Sequence, residues 1–153
     1  MKTKILSLFG LCTLMCMVLL FPSCNPEPLS VHDVEGDYDG KVEAEHVGKS
    51  LGITGMAHTV VTSPDNQKLT VAFENLTVAA FELGSFEVDC GVQYDEKAGA
   101  FNLYGEPQVV FEKYGKLPVQ VSGASNPGIL VLTLDITSLN LKLTYNGFLR
   151  KKK

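Results

Sequence analysis

The sequence predicts an all-β protein, an antiparallel barrel of eight to nine strands, with a two-sheet β-sandwich as the alternative. Three observations predict this class. Apolar and polar residues alternate with a period of two in successive segments, turn-forming residues separate these segments, and no sustained helical period occurs after residue 30. Strands with one apolar face need a shared interior, which a closed barrel or a sandwich provides.

The composition fits one modest globular domain. The 153 residues are 45% hydrophobic and 20% charged, with 14 glycines and a formal net charge of −4. These values are unlike those of collagenous, disulfide-dense or intrinsically disordered chains. Because binding to nucleic-acid phosphates depends on clustered Lys and Arg, the acidic balance predicts no nucleic-acid partner.

Residues 1–23 have the pattern of a secretory signal peptide. Lys2 and Lys4 precede an uncharged run of 17 residues from Ile5 to Phe21. A transmembrane helix is the competing interpretation, but it needs about 20 apolar residues and usually a basic flank, whereas this run ends at a proline. The segment is therefore predicted to direct export.

A lipid-attachment motif is predicted at the end of this segment. The sequence Phe21-Pro22-Ser23-Cys24 resembles a bacterial lipobox, whose cysteine is acylated and becomes the new N-terminus, although its first two residues depart from the usual pattern. Cleavage by ordinary signal peptidase, which leaves Cys24 free, is the alternative. We expect a lipid anchor on Cys24 in the cell envelope, at the outer membrane.

Removal of residues 1–23 leaves 130 residues, which divide into three parts. Residues 24–33 form a proline-rich tether, residues 34–148 form the barrel and residues 149–153 form a basic tail. Because Cys24 is acylated and the other two early cysteines leave with the signal, Cys90 has no partner for a disulfide. Its position between Val88 and Val92 predicts a small core residue rather than a reactive thiol.

The alternation can be followed strand by strand. In the first strand Tyr38 and Val42 share one parity, and every charged residue from Asp37 to Glu45 lies on the other. Further alternating segments are 68–74, 86–93, 119–122, 130–136 and 139–146. The turn-forming segments between them are 48–55, 63–66, 95–99, 105–107 and 123–128. Residues 76–83 fit either a strand or one helical turn.

Several of these segments together resemble the calycin-like lipoprotein β-barrel family of Bacteroides and its relatives. The residues that carry the resemblance are 34–40 (VEGDYDG), 73–76 (FENL), 83–88 (LGSFEV), 119–123 (VQVSG), 132–136 (LTLDI) and 143–148 (LTYNGF). The resemblance covers residues 34–148 and implies a lipocalin-like eight-stranded barrel on an envelope lipoprotein. It implies no established activity, although calycin barrels in general bind small apolar ligands.

The predicted barrel interior is the candidate binding site, because an eight-stranded barrel is either filled by side chains or holds one small ligand. We expect these side chains to line it: Tyr38, Val42, Phe73, Phe86, Val88, Leu132, Leu134, Leu143 and Tyr145. The first hypothesis is a small apolar or amphipathic ligand at one open mouth. The alternative is a solid-core module that contacts an envelope protein or a glycan through exposed loops, such as residues 48–55 or 123–128.

No residue cluster predicts a catalytic, metal or cofactor site. His32, His46 and His58 lack the close spacing of metal ligands, and no Gly-x-Ser-x-Gly motif is present. The alternate carboxylates from Asp33 to Asp39 could face a hard cation. A strand spaces them about 7 Å apart, however, so a solvated acidic face is the preferred interpretation. We therefore expect a protein that is not an enzyme.

Overall fold

A computed structural model describes residues 27–150, and eight of its ten strands form a closed antiparallel barrel. The strands are β1 (Gly36–His46), β2 (Lys49–Asp65), β3 (Lys68–Val78), β4 (Phe81–Asp95), β5 (Ala100–Gly105), β6 (Gln108–Phe111), β7 (Gly115–Pro118), β8 (Gln120–Asn126), β9 (Ile129–Ile136) and β10 (Leu141–Leu149). The predicted all-β barrel is confirmed. No helix within residues 27–150 is long and apolar enough to span a membrane.

The barrel runs in the order β1-β2-β3-β4-β5-β8-β9-β10, and β10 pairs with β1 to close it. In the closing pair, Tyr38 lies opposite Leu149 and His46 lies opposite Leu141. Closure pairs the outer strands with each other, which removes the exposed edges of an open sheet. The remaining strands, β6 and β7, pair only with each other and form a hairpin inserted between β5 and β8.

The alternation seen in the sequence defines the inside and the outside of this barrel. In β9, buried residues at every second position alternate with partly exposed ones from Ile129 to Ile136. The charged parity of β1 faces outward, while Tyr38, Val42 and Ala44 are buried. One core cluster results, because all eight strands turn their apolar faces to the same interior.

A single turn of 3-10 helix, Val31–Val34, closes the barrel at the end where β1 begins. Ser30 caps the turn: its hydroxyl accepts from the His32 N–H, and its own N–H donates to Asp33 at 2.8 Å. Val31 and Val34 are buried, and the Val34 carbonyl accepts a hydrogen bond from the Tyr38 hydroxyl at 2.8 Å. Val31, which the sequence placed in the tether, therefore contributes to the core.

The β6–β7 hairpin closes the opposite end. It packs on β4 on one side and on the 3-10 turn Thr137–Leu139, which joins β9 to β10, on the other. Its residues Val109 and Phe111 are buried, and Lys113 forms an ion pair with Glu82 of β4. No strand was predicted from the sequence for residues 108–118.

Three of the predicted turn segments are largely strand, among them residues 63–66, of which 63–65 end β2 and only Asn66 lies in the turn. Residues 49–55 belong to β2 and pair with β1 across two register shifts, so the glycines there lie at bulges and not in an open loop. Residues 123–126 belong to β8, and the turn contains only Pro127 and Gly128. The ambiguous stretch 76–83 is the end of β3 and the start of β4, joined at Ala79 and Ala80.

Candidate functional site

The nine side chains predicted to line a ligand cavity all lie inside the barrel. They come from β1, β3, β4, β9 and β10, and their exposed fractions are 0–5%. These side chains are therefore almost completely shielded from solvent. That they bind a ligand stays a prediction. Cys24, the predicted lipid-attachment residue, lies outside the described residues.

A chain of four aromatic rings fills the middle of the interior. Phe73 and Phe86 stack with their centroids 4.9 Å apart, and Tyr145 meets Phe73 edge-on at 5.4 Å. Phe111 of the hairpin packs on the other side of Phe86 at 4.8 Å. Sequence reasoning missed Phe111, although Val109 and Phe111 show a short alternation between two glycines.

Tyr145 has a polar partner for its hydroxyl within the apolar interior. The hydroxyl of Thr59 donates to it at 3.1 Å, and the tyrosine hydroxyl in turn donates to the carbonyl of Tyr38 at 3.1 Å. Burial raises the pKa of Tyr145, so the hydroxyl stays protonated. Every buried side-chain nitrogen and oxygen in residues 27–150 has a hydrogen-bond partner. No side-chain nitrogen or oxygen in the described interior is therefore left without a partner for a ligand to bind.

The ring of Tyr145 lies against two glycines that face each other across β1 and β10. A Cβ atom at Gly40 would lie 2.6 Å from the ring and 2.3 Å from the carbonyl oxygen of Asn146. A Cβ atom at Gly147 would lie 2.5 Å from the ring. The interior is therefore shaped around this ring, with glycine where the ring needs space.

The outer wall carries an open groove of about 600 Å³ across β5, β8, β9 and β10. Its lining includes an exposed tyrosine and several polar side chains: Tyr104, Gln120, Ser122, Thr133, Asp135 and Lys142. None of the nine predicted ligand residues contributes to it. The groove could not be predicted from the sequence. The polar residues named here lie on four separate strands, and on each strand they are ordinary outward-facing residues of the alternating pattern.

The polar residues considered from the sequence lie apart from one another. His32 bonds to Glu35 at 3.0 Å, His46 packs on the ring of Phe81, and His58 bonds to Asp39 at 2.9 Å. Arg150, the first residue of the tail's basic run, also bonds to Asp39. The hydrogen bond from His58 and the nearby Arg150 lower the pKa of Asp39. Within residues 27–150, no three His, Cys, Asp or Glu side chains are placed to hold a metal ion.

Cys90 lies in the core, as the apolar parity predicts. Burial, with a smaller effect of Asp89, raises the pKa of its thiol to about 12. We expect a thiol reagent at pH 8 to leave Cys90 unmodified in the folded protein and to modify it in urea, because only the thiolate reacts. The absorbance of the released chromophore, read when the reaction is complete, gives the number of thiols modified per chain. The buried position would be contradicted if the folded protein were labelled rapidly and Cys90→Ala abolished that labelling.

The comparisons with known proteins support the fold alone. Neither family models nor curated protein sequences match the chain. A solved structure described as a redesigned β-barrel superposes with a TM-score of 0.53, at 12% sequence identity, over 78% of this chain and 94% of that chain. An identity this low carries no functional information. The similarity agrees with the closed antiparallel barrel described above.

Proposed function

We propose that this protein is an exported lipoprotein of the cell envelope whose solid barrel acts as a non-enzymatic interaction module. It contacts an envelope protein or a glycan through its outer surface. The observation that carries the proposal is the packed interior, in which four aromatic rings and the surrounding aliphatic side chains occupy the space that a ligand would need. The resemblance to calycin-like lipoproteins agrees with export and anchoring and leaves the interior function open.

The two closed ends also favour a module over a carrier of small molecules. The turn at Val31–Val34 covers one mouth, and the β6–β7 hairpin covers the other. A ligand that entered past the hairpin would have to displace Phe111, whose ring packs directly on Phe86. This displacement costs free energy, since both rings are buried and their burial stabilises the fold by roughly 1.5–3 kcal/mol each. Under the small-ligand hypothesis, the contacts between the ligand and the barrel would have to offset this free-energy cost.

Anchoring is tested by replacing the predicted lipid-bearing residue. We expect the wild-type chain to fractionate with membranes and to incorporate labelled fatty acid, and Cys24→Ser to lose both properties. Cys16→Ser, a matched change within the predicted signal, should behave as wild type. Membrane association of Cys24→Ser equal to that of the wild type would overturn the anchor.

The solid interior has a separate test. Native mass spectrometry of the purified protein should show the mass of the processed chain with its covalent lipid and no further bound molecule. An apolar molecule retained at one copy per chain, and released only on unfolding, would favour the small-ligand function instead.

A further inference from the structure

We infer that the outer-wall groove beside Tyr104, the Tyr104 groove, is a binding site for a neutral polysaccharide. The inference rests on the proposed function and names one partner class for it. It is carried by an exposed tyrosine ring that packs against a glycine of the neighbouring strand, beside rows of hydroxyl, amide and charged side chains.

The ring of Tyr104 forms a platform on the outside of the barrel. Tyr104 of β5 lies opposite Gly91 of β4, and a Cβ atom at Gly91 would lie 2.9 Å from two of its ring atoms. The ring therefore leans over the glycine instead of projecting from the sheet. Its side chain nevertheless stays exposed, at 53%. Part of the ring is thus in contact with the neighbouring strand, while about half of the side chain remains accessible to a ligand.

Such a platform suits one face of a sugar ring. The face of an aromatic ring is electron-rich and attracts the weakly positive C–H groups that cover one side of many pyranoses. Because Gly91 has no side chain, the Tyr104 ring can pack against this strand before any ligand binds. A preorganised group loses little conformational freedom on binding, and this strengthens the interaction.

Two rows of polar side chains run across the sheet from this ring. In the first row, Tyr104 pairs with Ser122, which pairs with Thr133. In the second row, Gln120 pairs with Asp135, which pairs with Lys142. Strands lie about 4.8 Å apart, so the first row extends about 10 Å from the tyrosine. An extended chain of sugars can follow this line with its hydroxyls toward the side chains.

The chemistry of the two rows fits a neutral polyhydroxyl ligand. Gln120 donates to Glu106 at 3.2 Å, which leaves its amide oxygen as an acceptor. The hydroxyls of Ser122 and Thr133 bond to no other side chain within residues 27–150, so they can donate and accept. The groove lining contains two carboxylates, Glu106 and Asp135, and one cation, Lys142. This balance disfavours an anionic ligand such as a phosphate chain, since repulsion by two carboxylates opposes its binding.

A protein partner is less well matched to this groove. The cores of protein interfaces are rich in apolar and aromatic residues and poor in charge. The large exposed apolar side chains of this barrel, among them Ile53, Met56 and Val110, lie outside the Tyr104 groove. The groove itself contains one exposed aromatic side chain, Tyr104, and its other exposed side chains are polar or charged, which is unlike the core of a protein interface.

The test is affinity electrophoresis of the processed full chain in native gels that contain dextran, xylan or mannan. We expect at least one of these neutral polysaccharides to retard the wild-type protein. Tyr104→Ala should weaken the binding about tenfold or more, and Tyr104→Phe should keep it within about twofold, because the ring face is retained. Tyr94→Ala, which removes an exposed tyrosine of β4 outside the groove, is the matched control and should bind as wild type.

A second variant separates binding from a purely structural role of the tyrosine. Gly91→Val replaces no residue of the groove, but its side chain would push the Tyr104 ring away from β4, and valine itself favours a strand. We expect Gly91→Val to weaken retardation several-fold without lowering the melting temperature.

Three outcomes would overturn the inference. These are no retardation by any of the three polysaccharides, retardation unaffected by Tyr104→Ala, or a protein crosslink from the envelope that depends on Tyr104 in the absence of polysaccharide binding. Each of them leaves the fractionation of Cys24→Ser unchanged, so failure of this inference is distinguishable from failure of the proposed function.

Discussion

Replacing Phe86 by alanine is expected to lower the free energy of unfolding by about 3–5 kcal/mol. Phe86 stacks on Phe73 and also packs against Phe111, so its removal separates two rings that the chain cannot bring together again without moving the hairpin. A loss of this size is a large part of the 5–15 kcal/mol that holds a typical domain folded. Urea unfolding followed by circular dichroism measures it, since the chain has no tryptophan.

The same variant tests whether the barrel interior is solid. An apolar cavity the size of a phenyl ring binds benzene when its walls do not collapse. We therefore expect benzene to raise the melting temperature of Phe86→Ala and to leave that of the wild type unchanged. Phe148→Ala, which removes an exposed phenylalanine, should cost less than about 0.5 kcal/mol. Stabilisation of the wild type by benzene would show room in the interior and favour the small-ligand function.

Gly40→Ala is expected to cost about 3 kcal/mol although it adds only one methyl group. The new Cβ would meet the Asn146 carbonyl at 2.3 Å and the ring of Tyr145 at 2.6 Å. The carbonyl belongs to the ladder that closes the barrel, so it cannot move aside without breaking the β1–β10 pairing. For a domain of this size, the expected fall in melting temperature is roughly 10 °C.

Gly55→Ala provides the matched control for this prediction. Gly55 also lies in a barrel strand, opposite Val42, but its nearest neighbour would be the Thr77 carbonyl at 3.9 Å, an ordinary contact distance. We expect its melting temperature to stay within about 2 °C of the wild type. Equal losses for the two variants would mean that the Tyr145 ring does not constrain the closing pair of strands.

The alternation of side chains was enough to predict much of this barrel. Because a strand sends successive residues to opposite faces, Tyr38, Phe73 and Tyr145 could be assigned to the interior before any pairing was known. Each assignment depends only on the residues beside it in the chain. The glycine-containing segment 48–55 was misinterpreted for the same reason, since a bulged strand and a turn have similar local composition.

The contacts between distant segments could not be predicted in this way. Thr59 bonds to Tyr145 across 86 positions of sequence, and Gly91 is covered by Tyr104 because β4 and β5 happen to pair in that register. The polar residues of the Tyr104 groove lie on four strands and the loop after β5, and each one separately is an ordinary surface side chain. Their proximity is a property of strand order and register.

The sequence by itself determined the class of the fold, the parity that faces the core and the buried position of Cys90. Local alternation and charge placement are sufficient for these conclusions. Only the tertiary structure decided that both ends of the barrel are covered and that Phe111 completes the aromatic packing. It also placed the polar groove on the outer wall. The physical reason is that space inside a barrel depends on which remote side chains and hairpins enter it, and the period of two in a strand carries no information about that.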